Sequence, residues 1–122
     1  MRKTILAALL AASTVALAQS PAPSGDASRG KALFLENGCY ACHGTAGHGE
    51  PYGPRLAPGP VPWVAFTHQV RQPRSSMPRY APQFVSDADL ADIYAYLGSI
   101  PAGPKASAIP LLESGTQSDL GG

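Results

Sequence analysis

Cys39-Tyr40-Ala41-Cys42-His43 contains the only two cysteines of the chain, and the spacing within it decides how the rest is read. Cys39 and Cys42 lie close to one helical turn apart, so both sulfurs face the same way and can add to the two vinyl groups of a c-type haem. The imidazole of His43 follows directly and is presented to the iron. Two other chemistries use cysteines at this spacing. A redox disulfide of the thioredoxin kind sits beside a βαβ pattern, and none is visible here. Zinc held by Cys39, Cys42, His43 and either His48 or His68 has suitable donor types, but the second, separated ligand pair of structural zinc modules is missing. The motif therefore points to one covalently attached haem c with its iron.

The chain upstream supplies an address that agrees with this. Met1-Arg2-Lys3 precedes an apolar run from Ile5 to Leu17, and Ala16-Leu17-Ala18 fits the small-x-small cleavage rule of secretory signal peptides. The run is shorter than the roughly 20 apolar residues a membrane span needs, and Ser13 and Thr14 interrupt it. The expected division is a signal peptide over residues 1–18, a leader over 19–24, a folded domain over 25–101 and a tail over 102–122. The mature protein is then soluble and periplasmic, without stable membrane insertion. An oxidising compartment equally permits a Cys39–Cys42 disulfide, so export alone does not separate the two readings.

Loss of the signal leaves about 104 residues, enough for one small domain whose core a large apolar cofactor would help to fill. Seven basic residues then face eight acidic ones, a balance that gives no support to nucleic-acid binding.

The spacing predicts a helix from Asp26 to Asn37, with Ala27, Gly30, Leu33 and Phe34 near one face and Gly38 as its C-terminal cap. Gly30 in mid-helix costs about 1 kcal/mol relative to alanine, so either a second backbone approaches there or the helix breaks. Glycine and proline dominate from Gly44 to Pro62, which reads as irregular loop. A short helix follows, with Pro62 at its first position, Trp63, Phe66 and Val70 on one face, and Pro73 as its stop. Those three form either a haem wall or ordinary core. The segment from Arg74 to Gln83 carries Pro78 and Pro82 and contains Met77. A last helix begins at Ser86, with Leu90, Ile93, Tyr94 and Leu97 at i, i+3, i+4 and i+7, and with Tyr96 on a flank. Ile109, Leu111 and Leu112 are the tail residues that could dock on the domain. The expected class is all-α, three to four helices with long loops around one haem.

In this order the parts resemble the class I cytochrome c family, here a small monohaem bacterial member, from Gly25 to Pro101. Gly30 and Phe34 match the glycine and aromatic of that family's first helix, which cross its last helix near Ile93 and Tyr96. Gly53-Pro54-Arg55-Leu56 looks like the family's Gly-Pro-x-Leu segment, whose proline carbonyl accepts a hydrogen bond from the axial histidine. Carried over, Pro54 orients His43. Met77-Pro78-Arg79-Tyr80 resembles the family's methionine loop, which implies Met77 as the sixth ligand. The resemblance thus implies Cys39 and Cys42 as covalent attachment points and His43 and Met77 as axial ligands. The pocket expected around them comprises Pro54, Leu56, Trp63, Phe66, Val70, Tyr80 and Leu97. Two departures stand out: only 34 positions separate His43 from Met77, and the mature chain has just Lys31 and Lys105, so no lysine-rich docking face exists.

The implied function is that of an electron carrier and not an enzyme, passing single electrons between exported redox proteins. By family analogy the partners are a periplasmic dehydrogenase and a terminal oxidase or reductase. A thioether ligand and burial both favour the reduced iron, so a positive potential is expected. Arg55, Arg71, Arg74 and Arg79 are candidates for a charged contact surface, with Asp87, Asp89 and Asp92 on the last helix. The rival class is a haem enzyme or gas-binding cytochrome with an open sixth position, for which His48 and His68 would be distal candidates.

Overall fold

A computed structural model describes residues 21–110 of the chain. The expected signal peptide, the first part of the expected leader, and Leu111 and Leu112 lie outside the described residues. Among the described residues four α-helices occur in the order α1 (Ala27–Glu36), α2 (Tyr40–His43), α3 (Trp63–Arg71) and α4 (Asp87–Ser99), followed by a 3-10 turn at Ala106–Ala108. Among the described residues the only β-type pairing is one isolated bridge, Glu50 with Gly53. The fold is all-α.

Local chemistry sets the ends of α1. The Asp26 carboxylate accepts from the backbone N–H groups of Ser28 at 2.8 Å and Arg29 at 3.0 Å, which are otherwise orphaned in the first turn. At the other end Gly38 adopts φ +72°, its N–H bonds to the Leu35 carbonyl, and the N–H of Cys39 bonds to the Phe34 carbonyl. That pair of bonds is a Schellman motif. It fixes Cys39 rigidly to the last turn of α1, so the helix end aims the haem-type motif.

α4 is closed at its start by a capping box. Ser86 accepts from the Asp89 N–H, and the Asp89 carboxylate accepts in return from the Ser86 N–H at 2.9 Å. Val85 just before the cap and Leu90 in the fourth helical position are 2% and 1% exposed, the positions of a hydrophobic staple. For α3 the sequence places Pro62 inside the helix, whereas it stands one residue before it, at ψ 143°. An extended ψ serves a cap, and the first residue with helical backbone is Trp63. The helix stops at Arg71 because Gln72, preceding Pro73, is pushed out of the helical region to φ −135°.

α1 and α4 cross in close contact at Gly30. A Cβ there would lie 1.9 Å from the Asp92 carbonyl oxygen, so only glycine permits the approach. Phe34 and Tyr96 meet one turn further along, ring centroids 5.7 Å apart. The crossing is tied by polar bonds as well: Asp92, only 7% exposed, accepts from the Asp26 N–H at 2.7 Å and from Arg29, which also bonds Asp89.

Tyr96 is therefore core, not flank. It is buried against Phe34, and its hydroxyl donates to the Thr45 carbonyl at 2.9 Å. Tyr94, expected in the buried stripe, is half-buried on the other side, edge-on to Trp63 and Phe66 at 5.4 and 5.2 Å. The physical reason is that α4 is packed from two directions, by α1 and by α3, so its apolar surface is wider than a single stripe. Residues 101–108 are exposed and Ile109 is half-buried.

Candidate functional site

Between the helices lies an apolar cavity that is partly open to solvent. Phe34, Leu56, Phe66, Val70, Val85, Leu90, Ile93 and Leu97 form its apolar wall, and Cys39, His43, Pro54, Met77 and Tyr80 reach it from the loops and from α2. A second recess shares those last five residues and adds Cys42, Tyr52, Arg74, Ser75 and Ser76. The two recesses are adjoining parts of one cleft, apolar inside and polar at its mouth.

The Cys39-to-His43 turn stands at the seam between them. His43 is 8% exposed, and its Nδ1 lies 2.7 Å from the Pro54 carbonyl oxygen. A carbonyl can only accept, so Nδ1 carries the proton and Nε2 keeps its lone pair. Nε2 has no hydrogen-bond partner among the described residues. This is the tautomer a metal-binding imidazole requires.

Cys39 and Cys42 are both free thiols, each partly buried. Burial pushes the Cys39 thiol above its ordinary value, outweighing the lowering influence of backbone and of the Tyr80 hydroxyl. The Tyr80 hydroxyl is raised in turn, first by burial and then by Cys39. Redox-active Cys-x-x-Cys pairs depend on a lowered thiol pKa, so the environment of Cys39 is the opposite of what disulfide exchange needs. Zinc is no better served: no group of three or more His, Cys, Asp or Glu among the described residues is placed to hold a metal ion. His48 and His68 are exposed, and neither lines the cleft.

Met77 is half-buried and lines both recesses. Its segment is fastened to α3 and α1 by a set of bonds that the sequence does not announce. The Tyr80 N–H donates to the Val70 carbonyl at 3.2 Å, Arg71 donates to the Tyr80 carbonyl at 2.9 Å, and the Tyr80 hydroxyl donates to the Asn37 carbonyl at 2.9 Å. The side-chain amide of Gln69 lies 3.6 Å from the Met77 sulfur.

A thioether, an imidazole with a free Nε2, two thiols one helical turn apart and an apolar chamber suit a haem attached by its vinyl groups. The family described as cytochrome c oxidase, cbb3-type, subunit III matches residues 25–97. The chain belongs to that family. Its domain is a class I-like monohaem cytochrome c, its cofactor is covalently bound haem c with iron, and its role is to carry electrons. No curated protein and no solved structure shows a significant match to the chain.

Of the pocket residues expected for this cytochrome from sequence, Pro54, Leu56, Phe66, Val70, Tyr80 and Leu97 line the cavity. Trp63 does not. It stacks on Phe66 and meets Tyr94, filling the joint between α3 and α4. Helical periodicity puts Trp63 on the same side as Phe66 and Val70, but that side is shared between the cavity and α4, and the first turn falls to α4. Phe34, Asn37, Val61, Gln69, Val85, Leu90 and Ile93 also line the cavity and were not among the expected residues. The staple pattern was a signal for Val85 and Leu90. For Gln69 the signal was a polar residue three positions after Phe66, on an otherwise apolar face.

The charged surface is smaller than the sequence suggests. Arg71 is largely buried, held by the Tyr80 carbonyl and by Asp87 at 2.5 Å. Asp89 and Asp92 are occupied by Arg29 and the α4 cap. Arg55, Arg74 and Arg79 are exposed. Among the described residues no helix is long and apolar enough to cross a membrane.

Proposed function

We propose that the protein is a His/Met-ligated one-electron carrier of an exported redox chain, with Cys39 and Cys42 as the thioether attachment points and His43 and Met77 as the axial ligands. Haem c supplies the iron that passes between its ferric and ferrous states. The observation that carries the ligand assignment is that His43, Met77 and Cys39 all line one apolar cavity. The Pro54 carbonyl holds His43 in the tautomer that leaves Nε2 free, and a fixed partner at Nδ1 raises its basicity. Met77 contributes a thioether, which favours the reduced state, and the apolar wall disfavours the extra positive charge of the oxidised one. A positive reduction potential follows.

Docking to partners takes place at the open side of the cleft, where Arg74 lies at the mouth and Arg55 and Arg79 are exposed. Those three arginines speed encounter with an acidic partner surface in a salt-dependent manner. A dehydrogenase as donor and an oxidase or reductase as acceptor, both in the periplasm, suit a small exported cytochrome domain. The deciding experiment is the optical spectrum of the ferric holoprotein. A weak long-wavelength sulfur-to-iron band, lost in Met77→Ala, is expected. A high-spin wild-type spectrum with ready carbon monoxide binding would instead mean an open sixth position, and the carrier assignment would fall.

A further inference from the structure

Tyr96 carries a hydroxyl where the helix crossing asks only for a ring. The residue is 7% exposed and packs on Phe34, a contact that phenylalanine would make equally well. Its hydroxyl reaches past the crossing and donates to the Thr45 carbonyl at 2.9 Å. Among the described residues this is the only hydrogen bond between α4 and residues 44–57, the loop that carries Pro54. From Thr45 a short series of bonds leads back to His43. The Gly47 N–H closes on the Gly44 carbonyl at 2.9 Å around Thr45, and the Gly47 carbonyl accepts from the N–H groups of Leu56 at 2.7 Å and Ala57 at 2.8 Å. Leu56 follows closely on Pro54, whose carbonyl oxygen lies 2.7 Å from Nδ1 of His43. The loop also lies flush on α4 at Gly47, where a Cβ would stand 2.8 Å from the Leu97 side chain.

We propose that Tyr96 is a positioning residue for His43, its hydroxyl pinning the 44–57 loop to α4 so that the Pro54 carbonyl stays on Nδ1. This rests on His43 being an axial ligand. A metal-bound imidazole keeps its orientation and tautomer through the partner of its other nitrogen, so whatever fixes that partner acts on the ligand. Apolar packing against Leu97 holds the loop to the helix but is non-directional and does not set its register. A hydrogen bond does, because it weakens steeply away from its preferred distance and angle. If the hydroxyl served general stability alone, its loss would loosen the α1–α4 crossing and the loop alike. A positioning role predicts that the loop opens locally while the crossing stays closed.

The test is hydrogen exchange by NMR on the ferrous holoprotein, comparing wild type with Tyr96→Phe, which keeps the ring on Phe34. The loop reporters are the His43 Nδ1–H and the Leu56 and Ala57 amides; the crossing reporters are the Phe34 and Ile93 amides inside α1 and α4. Loss of the hydroxyl is expected to speed exchange at the loop reporters about three- to tenfold more than at the crossing reporters. Equal acceleration at all five, or none at the His43 ring, overturns the proposal and leaves histidine ligation standing. A wild-type His43 ring without the ring-current shift of a haem-bound imidazole removes the ligation itself, and the proposal with it. If Tyr96→Phe does not take up haem, wild type decides. The Tyr96 hydroxyl proton, the His43 Nδ1–H and the Leu56 amide are then expected to exchange through one common opening, of lower free energy than that of Ile93, and separate openings overturn the proposal.

Discussion

Gly30→Ala tests the helix crossing on which the cleft depends. The added Cβ would stand 1.9 Å from the Asp92 carbonyl oxygen, 2.4 Å from its carbon and 2.9 Å from the Ile93 nitrogen, where ordinary contact begins at 3.4 Å. All three are backbone atoms of α4, so no rotamer change relieves the overlap, and α1 and α4 must separate by about 1.5 Å at this point. Separation strains the Asp26 and Arg29 bonds to the buried Asp92 and loosens Phe34 from Tyr96. Overpacking of this severity costs about 3 kcal/mol. Alanine returns about 1 kcal/mol in helix propensity. A net loss of about 2 kcal/mol lowers the melting temperature of a domain this size by about 8–16 °C. Gly98→Ala is the control, because glycine at that exposed position of α4 has nothing within 4 Å of the added methyl. It should gain about 1 kcal/mol and melt about 4–8 °C higher. Thermal unfolding of the holoproteins by far-ultraviolet circular dichroism reads both. A Gly30→Ala variant that melts with Gly98→Ala, at or above wild type, would refute the close crossing.

Two further perturbations probe the elements that frame the cleft. Asp89 is held below the usual carboxylate range, first by the Ser86 hydroxyl and backbone N–H and then by Arg29. A lowered folded-state pKa stabilises the fold above about pH 4, and that stability is lost as pH falls from there through the lowered value. Asp89→Asn should be less stable than wild type at pH 7, with the gap closing toward pH 3 in urea titrations; parallel pH profiles would contradict the assignment. Tyr80→Phe removes the bond to the Asn37 carbonyl, and should cost about 0.5–1.5 kcal/mol by urea denaturation while haem incorporation persists. No loss of stability would mean that this bond does not fasten the methionine segment.

Much of the scaffold was legible in the residues themselves. Asp26 and Ser86 mark helix starts, Gly38 marks a helix end, and Pro73 marks a stop, because each acts on backbone groups within a few positions of itself. The pairing of His43 with Pro54 was legible by family likeness, and the structure has the bond at 2.7 Å. Trp63 was misplaced for a different reason. Periodicity reports which side chains share a face, not what lies opposite, and the face of α3 is divided between the cavity and Tyr94. Arg71 and Asp92 looked like surface charges because charged residues usually are, yet each finds its partners across another element.

Cys39 to His43 determined the kind of group this chain holds, since the chemistry of attachment needs only two thiols and an imidazole at short covalent spacing. Helix ends are of the same local kind. Tertiary structure decided which groups meet in the cleft and at the helix crossing: Gln69 with Met77, Tyr80 with Asn37, Asp92 with Asp26 and Arg29, Phe34 with Tyr96. Most of those pairs join different elements, tens of residues apart in sequence, so they depend on the angle and separation at which α1, α3 and α4 pack. No local pattern encodes those quantities. They are set by how closely Gly30 lets two backbones approach and by which bulky side chains fill the space that remains.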